Sequence, residues 1–396
     1  MGAGPARDQA IARMRGGHVR PRLLSVSNGH GEDLIAAAVL RQLPGRAVVA
    51  YPLVGLGEAY PPEVERLDPR RAFPSGGFSF RTGNRGLLAD LRSGIIRFWL
   101  AQRRTLAAQR ERFLLTLAVG DVYCLSMAMR ADAPAVLVAS ADSALDAPFR
   151  GQRLRVLRQA RRVFARDAPT ADFLRARGVG AVYLGNPIMD CLSPVGVDFG
   201  LPPRQAVVTL LPGSRAEAAR NAALLAQLAA RVAQSRPETG FLLSLAPGFD
   251  EAAIAQAFER VGGRERDGTI EVGAARLLLT RAFADAVMRA TVVVGLAGTA
   301  NEQAAGLGKP VVAFPGPGPQ FTPQFLRLQR TLLGEAIVAV PSPEDAAAAV
   351  LRLLGSPEER VRRGQAGRER MGDPGAAARI AAEIRTLLAA LEPNGR

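Results

Sequence analysis

The feature that most limits what this chain can fold into is a recurring unit: a short all-apolar run, a turn of small residues, then apolar residues at helical spacing. Runs of this kind, bounded by glycine, proline or aspartate, suit parallel strands buried on both faces, because the helices linking parallel strands cover the sheet on either side. The first half predicts strands at 22–26, 47–51, 114–119, 135–139, 162–165 and 181–184, with a helix at 32–42. Prolines and glycines without helical period interrupt the pattern over 186–203. It restarts with a strand at 206–211 and a helix at 216–232, continues with strands at 241–245, 276–280, 292–296 and 311–314, and closes with helices at 344–354, 357–367 and 375–391. No short-period repeat is present.

The expected fold class is therefore α/β, two Rossmann-like doubly wound domains facing across a cleft, and 396 residues suit that number. The predicted divisions are a disordered basic lead-in at 1–21, an N-terminal domain at 22–190, a linker at 191–204, a C-terminal domain at 205–372 and a helix within 373–396 that packs back on the N-terminal domain.

Hydrophobic residues at 48% and charged residues at 22% are the balance of a soluble globular protein. No run of eighteen apolar residues suggests a spanning helix, and the N-terminal stretch lacks the apolar core of a signal peptide. Cys124 and Cys191 are the only cysteines, which fits a reducing cytoplasm, and with His18 and His30 as the only histidines no zinc spacing exists. The net charge of +15 rests almost wholly on arginine, Lys309 being the one lysine. A GC-rich genome produces such a bias without functional demand; a basic surface still favours anionic lipid or a phosphorylated substrate. Nucleic acid is not an expected partner, since no recognised binding signature is present and aromatics are few.

Three strand-to-helix turns carry the chemistry. The first is Ser27-Asn28-Gly29-His30-Gly31-Glu32-Asp33, where glycines allow close backbone approach to a ligand and a helix start offers unpaired N–H groups. The spacing is not that of a dinucleotide fingerprint, and a plain turn capped by Asn28 and Asp33 is the structural alternative. His30 at the tip is placed for proton transfer. The second is Leu211-Pro212-Gly213-Ser214-Arg215, with Gly213 and Ser214 aiming N–H groups at a phosphate and Arg215 adding charge. The third is Gly298-Thr299-Ala300-Asn301-Glu302-Gln303, a helix start with a carboxylate in its first turn, suited to a ribose diol beside a diphosphate. Glu302 as a simple partner of the helix dipole is the plainer reading.

Leu211 to Arg215 and Gly298 to Glu302, with Gly185-Asn186-Pro187-Ile188-Met189-Asp190, resemble the motifs of lipid-A-disaccharide synthase. The Ser27 to Asp33 stretch and Gln320-Phe321-Thr322-Pro323 resemble more closely a group known only as related to that synthase, and the loop with His30 is also similar to that of the peptidoglycan transferase acting on lipid I. The resemblance spans roughly 22–391. It implies a GT-B fold, a UDP-sugar donor, an inverting metal-independent transfer and a lipid or lipid-linked acceptor at the cytoplasmic face of the membrane. It adds Gly185 and Asn186 to the substrate-binding set, and implies no cofactor or metal ligand. Aligned from Gly308 to Pro310, either Glu302 or Gln303 meets the ribose, and the synthase's aspartate-rich stretch is reduced to Gly120-Asp121-Val122-Tyr123.

A transferase of this kind needs a base for the acceptor hydroxyl; His30 is the first choice and Asp121 the second. Two other readings share the motifs: a UDP-GlcNAc 2-epimerase, and a non-catalytic sugar-nucleotide-binding protein. The segment 86–113 places Leu87, Leu91, Ile95, Phe98 and Trp99 on one helical face near Arg92, Arg97, Arg103 and Arg104. It reads either as a core helix with a solvated arginine face or as a helix lying on anionic membrane. If Arg215 holds the diphosphate, Arg215→Ala will weaken UDP binding about ten-fold or more in calorimetry.

Overall fold

The computed structural model describes residues 22–71, 94–214, 217–246, 251–266, 269–318 and 321–392. In the first half, β1 (Arg22–Ser27), α1 (His30–Arg41), β2 (Ala47–Pro52), β3 (Glu65–Arg66), α2 (Ile95–Ala107) and β4 (Leu115–Gly120) follow in order. Next come α3 (Val122–Ala128), β5 (Ala135–Ala139), α4 (Gly151–Leu157), β6 (Arg162–Phe164), α5 (Ala168–Arg175) and β7 (Ala181–Val182). Their strands form one parallel sheet in the order β3-β2-β1-β4-β5-β6-β7. Every residue of β4, Leu-Thr-Leu-Ala-Val-Gly, is buried, as a strand with helices on both faces must be.

The second half runs β8 (Val207–Leu211), α6 (Ala218–Ser235), β9 (Gly240–Ser244), α7 (Glu251–Glu259), β10 (Arg264–Arg266), β11 (Thr269–Val272) and β12 (Ala275–Thr280). It continues with α8 (Phe283–Arg289), β13 (Val292–Gly295), α9 (Thr299–Gly306), β14 (Val311–Ala313), α10 (Pro323–Leu333) and β15 (Ile337–Ala339). Helices α11 (Pro343–Gly355), α12 (Pro357–Met371) and α13 (Ala376–Leu391) end the chain. The sheet order is β10-β11-β12-β9-β8-β13-β14-β15, parallel except at β10 and β11. That antiparallel pair escaped the sequence reading because neither strand is an apolar run; β10 is Arg-Glu-Arg, exposed throughout, and its charges protect the sheet edge.

In each sheet the chain first moves outward on one side of its opening strand, then returns to the other side. The reversals fall between β1 and β4 and between β8 and β13. Loops leaving such a pair diverge to opposite faces and open a crevice at the carboxyl edge, where ligands of open α/β sheets bind.

The interrupted stretch after β7 is more structured than its composition suggests. Pro187–Cys191 is a 3-10 turn with Ile188 and Met189 buried. Asp190 accepts hydrogen bonds from Gly375 N and Ala377 N (2.8 Å), so it caps the start of α13. Asp285 takes the N–H groups of Val195, Gly196 and Val197, and these bonds hold its carboxyl below the usual range. Helix α13 packs on α1, with Arg385 donating to Gln42 O at 2.7 Å and Arg46 paired to Glu392. Lys309 donates to the carbonyls of Met288 and Ala290 and so closes the end of α8. No described helix is long and apolar enough to cross a membrane. Asp190→Ala removes both bonds at the start of α13 and is expected to cost roughly 1 to 2 kcal/mol; a thermal melt that does not fall by a few degrees would refute this capping role.

Candidate active site

At the first crevice, β1 passes through Ser27, half-buried Asn28 and Gly29 (φ 149°) into α1, which starts at His30 with no side-chain cap. His30 is exposed and Gly31 and Glu32 are half-buried. Ser140, at the end of β5, donates to Glu32 Oε1 at 3.3 Å, so this carboxylate spans the β1 and β5 exits. Gly120 (φ 145°) lies against the same loop: a Cβ there would sit 3.3 Å from Asn28 Cβ. Asn28 Oδ1 is buried without a hydrogen-bond partner.

Asp33 does not reach the loop tip. It is 2% exposed, beneath the loop, and accepts a 2.5 Å bond from Ser27 Oγ, which accepts in turn from Tyr60 OH at 2.7 Å. Burial pushes its carboxyl up to about 7, with Glu32 raising it further and Ser27 and Arg66 opposing. Nor is it a cap: the residue before α1 is Gly29, and neither Asn28 nor Asp33 accepts a first-turn N–H. Asp121 is the cap of α3, accepting from Cys124 N at 2.9 Å. Burial also raises its carboxyl, with Asp142 adding to the effect.

At the second crevice the β8 and β13 exits touch. Leu296 N donates to Leu211 O at 2.9 Å, and a Cβ on Gly213 (φ 92°) would stand 3.1 Å from Leu296 O. Only glycine fits both that backbone angle and that approach. Ser214 is exposed; Arg215 lies outside the described residues, as do Leu87, Leu91, Arg92 and Gln320. Helix α9 follows Gly298 and has no side-chain cap, so exposed Thr299 and half-buried Ala300 begin a bare N-terminus beside the β8 loop. Helices α5, α10, α11 and α12 are capped by Asp167, Thr322, Ser342 and Ser356, whereas α1, α2, α4, α6 and α8 share with α9 the lack of a side-chain cap. What sets α1 and α9 apart is their place at the sheet reversals. A bare helix start is suited to an anion.

Buried amides brace these loops. Asn221 Nδ2 donates to Pro212 O at 2.9 Å, and Asn301 Nδ2 to Gly295 O at 3.2 Å. Phe325, one turn into α10, stands where a Cβ on Gly298 would meet its ring at 3.1 Å, and Phe321 packs edge-on against it. The Phe-Thr-Pro segment thus backs the α9 start.

Glu302 faces the other half of the molecule. Arg166, just past β6, donates to Glu302 Oε2 at 2.7 Å, and Gln329 Nε2 donates to Oε1 at 3.2 Å. Gln303 is committed elsewhere: its Nε2 binds Ile188 O at 3.0 Å, which ties α9 to the 3-10 turn. Asn186 caps that turn through Ile188 N, and Gly185 makes room for Arg379 and Ala376 of α13. Arg166, Asp167, Tyr183 and Asn186 line a small cleft with Glu369 and Arg370 from the second half. Sequence reasoning did not single out Arg166, Tyr60, Gln329 or Phe325. Arg166 alone left a signal, an arginine immediately after a strand at the carboxyl edge of the sheet.

No protein-family model matches the chain. Lipid-A-disaccharide synthase from Azoarcus sp. (strain BH72) is 31% identical over 173 residues, 41% of this chain and 42% of that enzyme. The chain is matched over less than half of that relative's length. Among solved structures, UDP-GlcNAc 2-epimerase from Neisseria meningitidis bound to UDP-GlcNAc superposes with a TM-score of 0.59 at 13% identity, covering 92% of this chain and 100% of that one. CalG4, the calicheamicin glycosyltransferase, gives 0.61 at 14% identity, covering 95% and 100%. The glycosyltransferase SnogD from Streptomyces nogalater gives 0.55 at 18% identity, covering 93% and 99%. The chain has the GT-B fold, two Rossmann-like domains facing across a cleft.

Asp33 generates a pH prediction. A carboxyl that holds its proton more tightly in the folded than in the unfolded chain loses stability as pH rises from its unfolded to its folded pKa. Asp33 therefore destabilises the fold progressively from about pH 4 to 7 and by a constant amount above, on the order of 4 kcal/mol. Asp33→Asn keeps an acceptor for Ser27 and removes the titration. Urea unfolding should show the variant gaining on the wild type across that window; parallel pH profiles would rule the effect out.

Proposed function

We propose that this chain is an inverting glycosyltransferase that moves a hexose or N-acetylhexosamine from a UDP-sugar to a lipid or lipid-linked acceptor. The observation that carries this reading is the second crevice, where the β8 loop and the uncapped start of α9 meet at the switch point. Preorganised N–H groups aimed at a departing diphosphate stabilise its charge without reorganisation, each donor being worth on the order of 3 kcal/mol in the transition state. Arg215 follows in sequence and Glu302 supplies a carboxylate for the ribose diol. The donor reading needs no cofactor or metal ligand from the protein.

The acceptor belongs at the first crevice. His30 is exposed at its tip, so an approaching hydroxyl can meet the imidazole and transfer its proton as the glycosidic bond forms. Asp121, as the cap of α3, serves less readily as the base because Cys124 N occupies one of its oxygens. Asn28, Gly29, Gly31 and Glu32 then shape the acceptor side, with Asp33 supporting them from below.

A lipid acceptor is supported by α2. Ile95 and Leu106 are buried and Phe98 and Trp99 half-buried, while Ile96 (55%) and Leu100 (41%) are exposed beside Arg97 and Arg104. Gln102 donates to Leu53 O, and Leu53 N donates to Ser27 O, so the helix stands next to the His30 loop. An apolar ridge with flanking arginines suits the cytoplasmic face of an anionic membrane, where the protein would be peripheral.

Epimerisation of UDP-GlcNAc is the second reading, favoured by the likeness of the whole fold to 2-epimerases. One experiment separates the two. Purified protein is given radiolabelled UDP-sugars with and without polar lipids from its own source, alongside His30→Ala. Label reaching lipid in the wild type, and at least a hundred-fold less in the variant with UDP affinity unchanged, is the expected outcome. UDP-ManNAc formed from UDP-GlcNAc without any lipid would establish epimerisation instead, and full transfer by His30→Ala would remove that residue as the base.

A further inference from the structure

We infer that Arg166 is a donor-positioning residue, supplied by the acceptor half to orient the carboxylate that receives the donor's ribose. The inference rests on the UDP-sugar reading and adds a residue from the opposite half to its donor site. Arg166 and Glu302 are 136 positions apart, and their side chains are 8% and 13% exposed. The pair is thus nearly desolvated and lies at the meeting of the two halves.

A buried ion pair adds little net stability, since desolvation offsets its attraction, but it fixes geometry. An ionised carboxylate accepts about four hydrogen bonds. Glu302 spends one acceptor position on Arg166 through Oε2 and one on Gln329 through Oε1. Two acceptor positions are left over, the number that the two donors of a vicinal diol require. Gln329 is 1% exposed, and because a carboxylate offers only acceptors it is the amide Nε2 that faces Glu302.

Two consequences follow from the side of the cleft on which Arg166 sits. Without it, Glu302 hangs from the first turn of α9 with one amide to steer it, and the diol meets a carboxylate free to rotate. The nucleotide also becomes the ligand of both halves, because the guanidinium that orders its ribose acceptor moves with the β6 exit.

The test uses UDP and its 2′,3′-dideoxy analogue, which differ only in the diol. Calorimetry is run on the full chain as wild type, Glu302→Gln, Arg166→Ala, Arg166→Lys and the double variant Arg166→Ala/Glu302→Gln. The wild type should prefer UDP by on the order of ten-fold, as hydrogen bonds to a charged group imply. Glu302→Gln and Arg166→Ala should each bring that preference to within about two-fold, the double variant should lose no more, and Arg166→Lys should restore part of it. Loss of UDP affinity with the preference intact in both Arg166 variants would show a merely structural role and overturn the inference. Preference lost in Glu302→Gln but complete in Arg166→Ala would overturn it while leaving the donor site standing. A wild type that binds neither nucleotide, or a Glu302→Gln variant that keeps the preference, would overturn the donor reading itself.

Discussion

The constraint on which the rest of this molecule depends is the position of its two opening strands inside their sheets. β1 has β2 on one side and β4 on the other, and β8 has β9 and β13. A parallel strand must be followed by a covering helix, and the cover changes face where the order reverses. At that point a crevice opens at the carboxyl edge of the sheet, and helix starts face it. Gly29 and Gly298 then start helices without a side-chain cap, and Gly213 lets the β8 loop close on the Leu296 carbonyl. Sheet order thus produces two electropositive recesses before any charged side chain is considered.

The two halves are joined by more than the linker. Gln303 binds Ile188 O, Asp190 caps α13, and α13 lies on α1. Gly306 is tight against the Met189 thioether, which leaves no room for a Cβ. The buried apolar cluster runs without interruption from α1 through Ile188 and Met189 to Ile384 and Leu388 of α13. Arg166 and Glu302 add a polar contact between the halves, and Arg166 also lines the cleft with Asp167 and Tyr183. Apolar burial supplies the adhesion, being non-directional, and the ion pair supplies orientation.

Much of the fold could be read from residue order because strands buried on both faces must be apolar throughout. β4, β5, β8 and β13 each announce themselves by that rule. β10 and β11 do not: β10 is exposed throughout, and β11, Thr-Ile-Glu-Val, is mostly buried but alternates polar with apolar residues. The glycine-rich turns were legible for the same reason as the strands: a backbone held at positive φ or pressed against a neighbour leaves glycine in the sequence, as at Gly213. Side-chain roles were read less well. Asp33 looked like a loop ligand or a cap and is instead enclosed under Ser27 and Tyr60. Gln303, a candidate for the ribose, instead holds the 3-10 turn through Ile188 O.

What the sequence determined by itself is whatever depends on neighbours in the chain: apolar runs, helix starts, the restart of the pattern after residue 203 and the glycines that mark close turns. What only the tertiary structure decided is which side chains meet. Tyr60 reaches Ser27 across 33 positions and Arg166 reaches Glu302 across 136, and no local spacing encodes either distance. The physical reason is that burial and hydrogen bonding act through space. The proton affinity of Asp33 and the orientation of Glu302 are set by groups that the folded sheets bring to them.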